Sequence, residues 1–171
     1  MKSMYGYLAA IIAGAAIKQV DFLEDQKKGK HWVKWPLGII AGLAVGYILA
    51  FSPASVLFIA IIGAQVLMGK IDKPVHGLAV VVAAAIPFIF GMQWVNVELL
   101  LPFFVVAALD EVEFEGGLKP MREYRLWLKG ATFVAGIVSG IWVFFITLMC
   151  FDLAYLAVAK FVDKDDQIVD K

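Results

Sequence analysis

The sequence predicts an all-α, polytopic membrane protein with about six transmembrane helices in three hairpins. Three observations carry this. The 171 residues are 62% hydrophobic and the mean hydropathy is +0.84, well beyond the roughly half-apolar make-up of soluble domains. The apolar runs approach the ~20 residues a helix needs to cross the hydrocarbon layer. The charges are gathered into a few breaks between those runs. Residues 1-160 therefore read as one transmembrane helical domain, and 161-171 as a polar C-terminal tail.

Met4 to Ile17 is the first apolar run. With Lys2 before it and Ala13-Gly14-Ala15 within it, it also fits a cleavable leader. Its exit, AIKQVD, has two later counterparts, MGKID and VAALD, which favours a retained helix. Val33 to Phe51 is the second span. Gly38, Gly42 and Gly46 recur along it every fourth residue, a spacing that lets another backbone approach closely where lipid gives apolar side chains no reason to prefer one another.

Ser52-Pro53-Ala54-Ser55 reads as a turn, and Pro53 can open the next helix because its missing N–H is harmless there. The third span ends at Gly69, with Gln65 near that end. Pro74 pushes Lys73 out of helical geometry, so a fourth span starts there and runs to about Trp94, with Pro87 inside it as a kink site. Glu98 is the only charge between Gly77 and Leu109. Gln93 to Glu98 is read as a turn and Leu99 to Leu109 as a short fifth span; a re-entrant hairpin is the alternative. Asp110 to Gly117 is the last polar break, and Met121 to Lys129 reads as a short amphipathic segment lying at the interface. Ala131 to Phe151 is the sixth span, with Gly136 and Gly140 as a second close-packing pair and Asp152 near its outer end.

The charges orient this arrangement. Lys18, Lys27, Lys28, Lys30, Lys34, Lys70, Lys73, Lys119, Arg122, Arg125 and Lys129, eleven of the 15 basic residues, fall in or beside the three breaks. The positive-inside rule puts those breaks in the cytoplasm and both termini outside. Net charge is zero, so no basic field favours a nucleic-acid partner. The single cysteine, Cys150, excludes an internal disulfide and any multi-cysteine metal site. There is no phosphate-binding GxxxxGK[ST] loop, no HExxH zinc pair and no GxSxG elbow.

The same side carries acids at unusual places. Asp21, Asp72 and Asp110 each end a short odd-numbered span, and a short span draws its flanking residues toward the hydrocarbon. Carboxylates there are costly unless they face protein, water or a cation. Asp21 and Asp25 share one helical face, a pairing suited to Mg²⁺. Asp72, His76 and Asp110 are the supporting candidates. Lys27, Lys28, Arg122 and Arg125 are the candidates for phosphate oxygens, the arginines bidentately. The plain alternative is a set of solvated helix ends with local ion pairs of little worth.

Asp21-x-x-x-Asp25 at a cytoplasmic helix end resembles part of the aspartate-rich motif of UbiA-type intramembrane prenyltransferases. Asp72-x-x-x-His76 stands where a second such motif would, with histidine in place of the last acid. The resemblance covers about ten residues. It implies Mg²⁺ and a prenyl diphosphate as ligands. The expected function is thus binding or processing of a phosphorylated, prenyl-type lipid at the cytoplasmic interface of the membrane. The alternatives are a small cation transporter or channel, and a non-catalytic membrane subunit that packs on a partner. The glycine faces also offer contacts for a homo-oligomer.

Overall fold

Turn-forming residues cut the apolar chain into rods. A computed structural model describes residues 2–25, 31–92, 96–112 and 124–169. Among these it contains seven α-helices and no strand: α1 (Lys2–Asp25), α2 (Lys34–Phe51), α3 (Ser55–Leu67), α4 (Pro74–Phe90), α5 (Val97–Glu111), α6 (Leu126–Ser139) and α7 (Val143–Val169). Among the described residues three helices are long and apolar enough to cross a membrane: Met4–Asp25, Lys34–Phe51 and Val143–Val162.

The expected turns at Ser52–Ser55 and Pro74 set boundaries, whereas α4 stops at Phe90, short of the expected Trp94. Pro74 occupies the first turn of α4, and Lys73 before it is extended. Gly91, at φ 85°, ends α4, in the left-handed region that glycine enters without strain. α4 continues through Pro87, and α5 through Pro102. Residues 77–109 thus contribute to two helices, α4 and α5.

The predicted sixth span is not one rod. α6 stops at Ser139, and Gly140 takes a left-handed conformation at φ 71°. Ser139 Oγ donates to the Ala135 carbonyl at 2.6 Å and accepts from the Ile141 amide at 3.2 Å, so the hydroxyl serves the backbone where the helix breaks. Gly140 is therefore a helix terminator, with open space where a Cβ would stand, and not half of a packing pair; Gly136 instead receives the Trp142 ring. Of the expected amphipathic segment, residues 121–123 lie outside the described residues, Tyr124 and Arg125 form a turn, and Leu126 starts α6. At the other end, α7 carries helix through the expected tail to Val169.

α1 packs most extensively on α7 and then on α2, α2 on α4, and α3 on α5. Small residues make these seams. A Cβ at Gly14 would collide with the Phe151 carbonyl of α7. Added to Gly38, Gly42 or Gly46, it would come within 2.6 Å of Val75, of the Ala79 carbonyl or of Ile86, all on α4. Gly38, Gly42 and Gly46 thus face α4 of the same chain.

Gly14 meets Phe151, and Asp21 meets Tyr155. Numbers rise together along the two helices, so α1 and α7 run parallel, with Lys2 and Val169 toward opposite ends of the bundle. The expectation of both termini on one side does not fit this packing. Ala131 to Phe151 was expected as one rod, whereas the turn at Gly140 divides it into α6 and α7. Asp152 accordingly lies at the Asp21 end, beside Arg125 and Lys129, and not at an outer end.

Candidate functional site

α3 and α4 follow one another in sequence, yet they share no extensive contact. α4 is held by α2 and α3 by α5, and a cavity of about 180 Å³ lies among α1, α2, α3, α4 and α7. Its wall is aliphatic along most of its length, with Ala41 and Val45 from α2, Ile61 and Ile62 from α3, and Val80 and Ala83 from α4. Phe58 and Phe151, whose rings meet edge to face at 5.9 Å, add an aromatic wall.

The polar side chains come from helix ends. Asp21 stands near the close of α1 and His76 in the first turn of α4. Gln65 and Lys70 flank the close of α3, Arg125 precedes α6, and Tyr155 reaches in from α7. His76 Nε2 is 3.1 Å from Asp21 Oδ1. That contact lacks the alignment of a hydrogen bond and becomes an ion pair when the imidazole is protonated. The Tyr155 hydroxyl donates to Asp21 Oδ2 at 2.8 Å, and Lys18 Nζ lies 5.3 Å from the Tyr155 ring centroid. Asp21 thus holds together α1, α4 and α7.

No known protein family, curated protein or solved structure matches this chain.

Of the predicted metal ligands, only Asp21 and His76 come together. Asp25 is exposed at the end of α1. Asp72, 61% exposed in its side chain, pairs with Lys73 at 3.4 Å. Asp110 is buried and does something else: its two oxygens accept the Trp127 and Leu128 amides at 3.2 and 2.9 Å. It caps the start of α6 from the end of α5, a use of carboxylate favoured at a helix N-terminus. Among the described residues no three His, Cys, Asp or Glu side chains gather as a metal site. With Asp21 already engaged by His76 and Tyr155, the donor set does not fit Mg²⁺. Of the predicted phosphate ligands, Arg125 lines the cavity, while Lys27, Lys28 and Arg122 lie outside the described residues.

Sequence reasoning passed over Tyr155 and misplaced Asp152. The two are three residues apart on α7 and so share a face, a polar stripe in an apolar run. Asp152 is buried against Lys129 at 2.9 Å, with Arg125 at 3.9 Å. A further ion pair, Glu24 to Lys34 at 3.0 Å, joins the end of α1 to the start of α2.

Proposed function

We propose that this chain is embedded in a membrane, with the polar breaks on the cytoplasmic side, and binds the phosphorylated end of an isoprenoid-type lipid in the cavity between α3 and α4. The observation that carries this is the cavity's two-part lining: aliphatic walls leading to a cluster that includes His76, Lys70, Gln65 and Arg125. Among the described residues Asp21 is the one acid on that lining. The unclosed seam between α3 and α4 gives a lipid a lateral way in, whereas the glycine seam between α2 and α4 leaves it no room. Side chains such as Phe88 and Val138, 93% and 80% exposed, suit contact with acyl chains rather than water.

The volume bounds the ligand. About 180 Å³ is well above the roughly 10–15 Å³ that one water needs and leaves room for a phosphate with the first carbons of its tail. The remaining tail would run out along the exposed faces of α3 and α4. Binding by this route uses no metal. His76 supplies a ring nitrogen to phosphate oxygens, Gln65 an amide, and Lys70 and Arg125 positive charge.

A thermal shift on the detergent-purified chain tests the proposal. Geranyl phosphate is expected to raise the melting temperature in the presence of a chelator, because a ligand that binds only the folded state stabilises it. Geraniol and inorganic phosphate alone should do less. Val80→Phe, which fills the aliphatic wall, should abolish the shift. A parent protein that does not respond to geranyl phosphate, or a Val80→Phe variant that responds equally, would refute it.

A further inference from the structure

Resting on that reading of the cavity, we infer that Arg125 selects a phosphate-bearing ligand over a neutral one, and that Asp152 sets how freely it can do so. Arg125 lines both the main cavity and a smaller recess of about 30 Å³ formed with Asp152, Lys129 and Tyr155. Its guanidinium sits over the Phe151 ring at 5.6 Å and 3.9 Å from Asp152 Oδ1. A charge-assisted hydrogen bond to carboxylate closes to about 2.7–2.9 Å; this contact does not reach that distance. Lys129 comes nearer, at 2.9 Å from Asp152 Oδ2, although that buried oxygen makes no hydrogen bond, so Asp152 has a closer counter-charge than Arg125.

Arg125 therefore keeps unspent donors: among the described residues its guanidinium makes no hydrogen bond. Five N–H groups in a planar fork match phosphate oxygens bidentately. Its backbone is fixed in the left-handed region at φ 49°, directly before α6, where Asp110 anchors the following amides. The base of the side chain is thus held while its end is only loosely tethered. An arriving phosphate competes with a long contact to Asp152, not with a closed ion pair.

The experiment compares geranyl phosphate with geraniol by titration calorimetry on the full chain. Arg125→Gln is expected to weaken geranyl phosphate about 10- to 100-fold, the worth of one or two charge-assisted hydrogen bonds, and to leave geraniol unchanged. Arg125→Lys should keep part of the preference. Asp152→Asn, which removes the competing charge, should tighten geranyl phosphate about twofold or more, the worth of a weak ion pair. If Arg125→Gln keeps the parent's preference, or loses both ligands together, the selecting role is overturned while the cavity reading stands. If the parent binds neither probe, the cavity reading falls and this inference with it.

Discussion

Tyr155 donates a 2.8 Å hydrogen bond to Asp21 Oδ2, joining the last helix to the end of the first. The same carboxylate faces His76 of α4 through its other oxygen. One acid therefore positions three helices around the polar end of the cavity.

Removing the hydroxyl with Tyr155→Phe should destabilise the protein by about 0.6 kcal/mol, and by no more than ~1.7, the range measured for side-chain hydrogen bonds between membrane helices. Asp21→Ala should cost more, since it removes both contacts and leaves His76 and Tyr155 without their partner. Reversible unfolding in mixed micelles measures both. Equal stability of Tyr155→Phe and the parent would mean that the bond does not tie α1 to α7.

The glycine seam makes a sharper comparison. Gly42→Ala would put a methyl group 2.6 Å from the Ala79 carbonyl and 2.8 Å from Val82 Cβ, overpacking that costs about 1–3 kcal/mol. Gly77→Ala, with nothing within 4 Å of the new Cβ, should instead stabilise α4 by about 0.5–1 kcal/mol, the ordinary advantage of alanine in a helix. The opposite order in an unfolding assay would contradict the α2–α4 packing.

Asp110→Ala should free the amides of Trp127 and Leu128, at a cost of about 0.5–2 kcal/mol for a lost helix cap. Hydrogen exchange should quicken at those two amides and remain slow in the middle of α2. Unchanged protection at Trp127 and Leu128 would show that Asp110 is not their acceptor.

How far the sequence could be read depends on which residues carry the signal. Helix positions were legible at Pro74 and at the Ser52–Ser55 turn, whereas Gly91, which ends α4, was read through as part of a span reaching Trp94; the spacing of Gly38, Gly42 and Gly46 was legible from its period. Gly140 misled because the same residue type serves close packing and chain reversal, and only its left-handed backbone separates the two. The site was half legible. Asp21 and His76 lie at helix ends, where charge in an apolar chain is conspicuous. Asp110 carries the same signal and spends it on backbone amides. Tyr155 and Asp152 were hidden by the missed turn, which put α7 in the wrong register relative to the polar breaks.

Parallel packing of α1 and α7 makes a topological prediction. Reporter domains fused before Met1 and after Lys171 should lie on opposite sides of the membrane. Both reporters on one side would contradict the pairing of Gly14 with Phe151 and of Asp21 with Tyr155.

Photocrosslinking puts the cavity itself to the test. A diazirine-bearing geranyl phosphate, irradiated with the purified protein and mapped by mass spectrometry, should label Ile61, Ile62 and Val80 on the walls contributed by α3 and α4. Excess geranyl phosphate should suppress that labelling. Labelling spread over outward-facing side chains such as Phe88 and Val138, and indifferent to competitor, would mean that no lipid phosphate enters between α3 and α4.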